Sequence, residues 1–127
     1  MDKNCTEAIE RAIKEGYIEG IHLKQNKGLT LRGFHKDFEM VVLNGSQIEK
    51  VDIDKWLDRV ENMKEESPEL WKAANRYEFN LLDSTRNTAS VKIDLFKGRV
   101  HFSTDYTLLY KIGEEWKIVS KVYSIPE

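Results

Sequence analysis

The stretch ASVKIDLFKGRVHFSTDYTLLYKIGEEWKIVSKVY, residues 89–123, decides the architecture. Apolar and polar residues alternate in it with a period of two, the side-chain period of a strand. Its interruptions, Lys97-Gly98 and Gly113-Glu114, have the length and composition of hairpin turns. The spacing predicts strands over Ala89–Phe96, Val100–Lys111 and Trp116–Ile125. Another strand, Tyr77–Leu82, precedes them across the turn Asp83–Asn87, so the C-terminal half is an antiparallel meander.

A two-residue loop at Lys97-Gly98 sets Leu95 opposite Val100, Asp94 opposite His101 and Ser90 opposite Asp105. One face of the hairpin then carries Ala89, Val91, Ile93, Leu95, Val100, Phe102, Tyr106 and Leu108. The other carries Ser90, Lys92, Asp94, Phe96, His101, Ser103, Asp105 and Thr107. The simplest expectation is that the apolar face packs inward and the polar face meets water.

The period changes in the N-terminal half. Cys5, Ala8, Ile9, Ala12, Ile13, Gly16, Tyr17, Gly20 and Ile21 recur at helical spacing. Gly16 and Gly20 share the buried face of Tyr17, where glycine costs helix propensity and points to close approach of a neighbour. His22 falls on the polar side of this helix. Asn26 caps a short second helix, Leu29–Phe34, with Leu31 and Phe34 inward, ending near His35. Phe38–Leu43 and Gln47–Val51 form a hairpin around Asn44-Gly45, and Asp52 caps a third helix carrying Ile53, Trp56, Leu57, Val60 and Met63. Ser67-Pro68 closes it. Helices gathered before strands make an α+β layer fold in a single domain over residues 1–127.

Composition narrows the function classes. Twenty basic and twenty-two acidic residues are interspersed over 127 positions, so no basic footprint marks nucleic acid or anionic lipid as a partner. The longest aliphatic run, Met40–Leu43, is far short of a membrane span, and the expected location is the cytoplasm. The one cysteine, Cys5, has no internal disulfide partner and sits on an apolar stripe, which favours packing over nucleophilic duty. His22, His35 and His101 share no metal-ligand spacing, and no phosphate loop or nucleophile elbow is present, so neither cofactor nor metal is expected.

Four segments carry a family resemblance: Tyr17-Ile18-Glu19-Gly20, Phe34-His35-Lys36-Asp37, Thr104-Asp105-Tyr106-Thr107-Leu108-Leu109, and the run from Gly113 to Tyr123. Over nearly its whole length the chain resembles the nuclear transport factor 2-like superfamily, and within it the lumazine-binding and polyketide-cyclase-like (SnoaL-like) groups. The resemblance implies a cone of three helices laid on the concave side of a strongly curved sheet, with a pocket between them. It also implies homodimers through the convex side.

That picture reverses the expectation about faces. Asp105 aligns with an interior Asp of the ketosteroid isomerase branch and Tyr17 with its pocket Tyr, so the polar face becomes the pocket lining. The apolar face, Val91, Ile93, Leu95, Val100, Phe102 and Tyr106, becomes the self-association surface. The candidate ligand-binding residues are Tyr17, His101, Asp105, Lys121 and Tyr123, with Phe34, Phe38 and Trp56 as walls. An ordinary structural ion pair between Asp105 and Lys121 stays open beside a binding role, and their common face hinges on the length of the Gly113-Glu114 loop.

Isomerase chemistry also needs a carboxylate base, and the position that should supply it is Val42. Two readings follow. One is a small-molecule-binding domain without a catalytic set; the other is a lyase, dehydratase or isomerase acting on a small carbonyl compound, with His101 or His35 as base.

Overall fold

The computed structural model describes residues 3–126. Helix α1 (Lys3–Ile13) buries Ile9, Ala12 and Ile13 and runs on without a break as a π-helix over Lys14–Leu23. Hydrogen bonds of a π-helix reach from i to i+5, as from the Glu19 carbonyl to the Lys24 N–H at 2.9 Å, so residues five apart lie one above the other. The glycines here do serve close packing: a Cβ on Gly16 would stand 2.6 Å from the Gly33 Cα, and one on Gly20 2.7 Å from the Thr30 nitrogen.

The partner in that packing is α2 (Lys27–Thr30), capped by the Asn26 side chain, which accepts from the Leu29 N–H at 2.9 Å. It is shorter than the sequence suggests. Gly33, whose neighbours leave no room for a Cβ, carries the chain out of the helix, and its carbonyl accepts from the Ile118 N–H at 2.7 Å. Phe34 therefore opens β1 (Phe34–Asn44) beside Ile118, not the end of a helix, and His35 lies on that strand.

Asn44 pairs with Gln47, so β1 turns at Gly45-Ser46, one residue later than expected, into β2 (Gln47–Val51), and Asp52 caps α3 (Ile53–Glu66) by accepting from the Lys55 N–H at 2.9 Å. Ser67 ends α3. A short helix that the periodicity does not announce, α4 (Pro68–Lys72), then places Trp71. The meander follows as β3 (Asn75–Thr85), β4 (Thr88–Lys97), β5 (Val100–Ile112) and β6 (Glu115–Ser124). One six-stranded mixed sheet has the order β2-β1-β6-β5-β4-β3, antiparallel throughout except for the parallel pair β1 and β6. Helices cover its inner face, giving the α+β class.

The expected register of the β4–β5 hairpin is corrected. Lys97 pairs with Val100, so the loop is Gly98-Arg99, a shift that alone would leave the faces unchanged. Phe102, however, is an extra residue: Phe96 pairs with His101 but Leu95 with Ser103, and beyond this bulge Ile93 faces Asp105. The inner face therefore combines the apolar alternates of β4 (Val91, Ile93, Leu95) with the polar alternates of β5 (Ser103, Asp105, Thr107). Val91, Ile93 and Leu95 are core residues and not a self-association surface.

A second bulge, at Val119 in β6, decides another open question. The Gly113-Glu114 loop holds two residues, which alone would put Lys121 on the outside, but the extra residue pairs Lys121 with Thr107 and turns it inward with Asp105. A third irregularity lies in β3 between Phe79 and Leu81. Each bulge bends its strand, and together they curve the sheet around the helices.

Candidate functional site

Between the π-helix, α3 and the inner sheet face lies a cavity of ≈ 290 Å³, with Tyr17, His22, Met40, Trp56, Phe102 and Asp105 among its lining. Arg59, Asn62, Tyr123 and Ile125 stand at its mouth. At one end the Tyr17 hydroxyl donates to Asp105 Oδ2, and Lys121 Nζ donates to Asp105 Oδ1 at 3.2 Å and to the Tyr17 oxygen at 3.3 Å. Asp105 is 0% and Lys121 4% exposed. The Lys121 ammonium also stands over the rings of Trp56 (4.5 Å), Tyr17 (4.7 Å) and Tyr123 (5.0 Å), an aromatic cage around a tethered cation.

Burial shapes the acidities at this end. It pushes the Tyr17 phenol well above its ordinary value, with the adjacent Asp105 carboxylate adding to the effect, so the hydroxyl keeps its proton and donates it. Burial also lowers Lys121, and Asp105 opposes that only in part. With Ser103 Oγ at 3.4 Å as a further donor, both Asp105 oxygens are occupied from within the chain.

The other end is arranged differently. His22 lies five residues after Tyr17, and the π-helical ladder brings the two rings together at 4.8 Å, edge to face. An α-helical period instead sends His22 to the solvent side, and that expectation is overturned: the residue is 4% exposed. Its ring stacks on Trp71 at 5.4 Å and meets the edge of Phe102 at 5.6 Å, yet neither ring nitrogen has a hydrogen-bond partner. Burial, then Lys97 and Lys121, hold its pKa well below the ordinary 6.5, so the imidazole is neutral. Lys97 is buried behind it, its amine 3.9 Å above Trp71 and donating to Asn75 Oδ1 at 2.9 Å, with its pKa lowered by burial to about 8.

Of the residues singled out from sequence, Tyr17, Trp56, Asp105, Lys121 and Tyr123 come together on the lining. Phe34 and Phe38 stand one layer behind, packed on Trp56 at 5.5 and 5.7 Å. His101 is not in the cavity. The Phe102 bulge leaves it on the outer face, stacked on Phe96 at 4.5 Å, with its Nε2 3.1 Å from Asp94 Oδ1. Burial works against the Asp94 charge, but hydrogen bonds from Thr104, Asn80 and His101 outweigh it and lower the pKa. His35 lies on β1 beside Asp37, and the lining residue of that strand is Met40, not Val42. His22, Phe102 and Met63 are lining residues that sequence reasoning did not assign to the cavity; for Phe102 and His22 the signal would have been a bulge and a π-helix, neither of which has a sequence mark here. Among the described residues no group of three or more His, Cys, Asp or Glu is placed to hold a metal ion, and no helix is long and apolar enough to cross a membrane.

A family model described as "Putative lumazine-binding" matches residues 4–124. Among solved structures, the chain is similar to a nuclear transport factor 2-like protein of unknown function from Shewanella baltica, at 22% identity and a TM-score of 0.79, covering 100% of this chain and 98% of that one. A second such protein, from Silicibacter pomeroyi, is 16% identical with a TM-score of 0.74 over 99% of this chain and all (100%) of the other. A protein of unknown function with a cystatin-like fold from Nostoc punctiforme follows at 12% identity and 0.68, covering 99% and 94%. No curated protein matches the chain in sequence. At these identities the structures speak for the fold alone.

Proposed function

The chain belongs to the family described as "Putative lumazine-binding", and on that premise we propose that it binds a small organic molecule in the cavity between its π-helix and the inner sheet face. The observation that carries this reading is the composition of the cavity. An apolar space of ≈ 290 Å³ contains a few fixed polar groups, the combination by which small-molecule sites orient a ligand. That size suits a compact ring compound, and lumazine, a planar bicyclic ring imide, is the first probe to try. The Tyr17–Asp105–Lys121 cluster and Tyr123 would border the bound molecule. Mass spectrometry of the denatured protein for a co-purified molecule, together with thermal unfolding with and without lumazine, tests the reading. A retained compound or a concentration-dependent rise in Tm is expected. An empty protein indifferent to lumazine and to a library of ring compounds would overturn it.

Binding is favoured over turnover. Among the described lining residues Asp105 is the only carboxylate, and its oxygens are engaged by Tyr17, Lys121 and Ser103. A base role for His101 or His35 finds neither residue on the lining. Steroid isomerisation by the unmodified protein, abolished by Asp105→Ala, would contradict this.

The outer face supports a second copy of the chain as partner. Leu81, Lys92, Tyr106 and Val122 lie in one row across four strands with Leu108 beside them, and Leu81, Tyr106, Val122 and Leu108 are exposed by 61, 50, 46 and 54%. These exposed apolar side chains, gathered around Lys92, fit a self-association surface in a cytoplasmic homodimer. Light scattering should give a dimer at micromolar concentration and a monomer for Tyr106→Glu combined with Leu108→Glu; a monomeric parent protein would refute it.

A further inference from the structure

His22 stands out among the buried groups. Its neighbours are Tyr17, Trp71, Phe102 and the Lys97 amine, and none of them bonds either ring nitrogen. A buried polar group without a partner carries its full desolvation cost, and native proteins rarely leave one so without a role for it. The ring lines the cavity. Resting on the reading of that cavity as a ligand site, we infer that His22 is the group the ligand bonds, and that the ligand is an uncharged aromatic or heteroaromatic compound whose hydroxyl or ring N–H donates to the bare nitrogen of the imidazole.

The surroundings select that class. Trp56, Phe102, Met40 and Met63 offer flat and adaptable apolar contact. Lys97 and Lys121 both bear on the His22 site, which disfavours a cationic ligand. The opposite end of the cavity is already satisfied, since Asp105 accepts from Tyr17, Ser103 and Lys121. A ligand carbonyl has Arg59 and Asn62 at the mouth as donors, whereas a ligand hydroxyl inside the mouth meets in the neutral imidazole a side-chain acceptor with no partner of its own, unlike the Ser103 hydroxyl, which is already tied to Asp105.

Phenol and toluene, equal in shape and different in one hydroxyl, provide the test. Affinities for the wild type and for His22→Phe are measured by NMR titration, with the His22 ring nitrogens followed by their ¹⁵N shifts. The phenol-to-toluene affinity ratio should fall about five- to tenfold in the variant, the worth of one hydrogen bond, while toluene affinity is kept. Saturating phenol should also move a His22 ring ¹⁵N resonance in the wild type. An unchanged ratio, or phenol bound against Met63 with the His22 nitrogens unmoved, overturns this inference and leaves the cavity reading standing. If neither compound perturbs the lining residues of the wild type, the cavity reading itself falls and this inference with it. Should His22→Phe fail to fold, the ¹⁵N measurement on the wild type decides alone.

Discussion

The two ends of the cavity are built on opposite terms. At the Tyr17–Asp105–Lys121 end every polar group is bonded from within the chain, although two strands and a helix meet there. At the His22 end a polar ring is buried to the same degree and bonded to nothing. The first arrangement holds the fold together; the second costs stability and waits for an outside partner. Both ends border one space, so burial and perturbed acidity alone do not separate a structural cluster from a recognition group. What separates them is whether the hydrogen bonds are complete.

The sharpest way to break this contrast is at the bonded end. Asp105→Leu or Lys121→Met alone should destabilise the protein by about 3–5 kcal/mol, because each leaves a buried charge without its partner. The double substitution should cost well under the sum in urea unfolding, and additive losses would show that the pair is not coupled. Next in size comes Gly20→Ala, which would drive a methyl to 2.7 Å from the backbone of Thr30 and should cost about 1–3 kcal/mol by the same measurement.

At the other end the sign reverses. His22→Phe keeps the stacking surface and removes two unpaired nitrogens, so the ligand-free protein should gain about 1 kcal/mol. Because the folded-state pKa of His22 lies below 6.5, the unfolded chain takes up a proton first as pH falls. Wild-type stability is therefore lost from about pH 6.5 downward through this group, and the advantage of the variant should widen there. A variant less stable than the wild type at every pH would assign His22 a structural bond. An effect confined to alkaline pH belongs to Lys97, whose pKa is about 8 when folded against 10.5 as a free lysine. Between those values the unfolded state holds a proton that the native state lacks, so stability rises with pH, and Lys97→Met should flatten that rise in thermal scans.

Much of this architecture was legible in the sequence because it rests on period and turn chemistry. The alternation of residues 89–123, the β1–β2 hairpin and the caps at Asn26 and Asp52 all have sequence marks, and each leads to the element found. Tyr17, Asp105 and Lys121 also gather as the family resemblance implies. The faces were a different matter. A bulge is one extra residue with no composition of its own, and Phe102 and Val119 each reverse what every later side chain of the strand faces. That is why Asp105 and Lys121 turn into the cavity while His101, which precedes the Phe102 bulge, stays on the outer face. The π-helix hid His22 for a related reason, since an apolar stripe read at 3.6 residues per turn assigns position 22 to the wrong side. Helix α4 is short enough to bury too little for any periodic signal, and it brought Trp71 unannounced.

The aromatic cage around Lys121 has one more consequence, best put as effective concentration. Open cages of this kind recruit free ammonium compounds from solution, with an occupancy set by how much of the compound is present. Here the cation is attached to the strand that forms one side of the cage, and a tethered group competes at an effective concentration in the millimolar range or above. Free amines at lower concentrations do not displace it, and Asp105 keeps it in place when the salt concentration changes. The cage is thereby closed to choline-like and amine ligands, and the three rings that would have attracted them serve as an apolar wall for whatever occupies the space beside them.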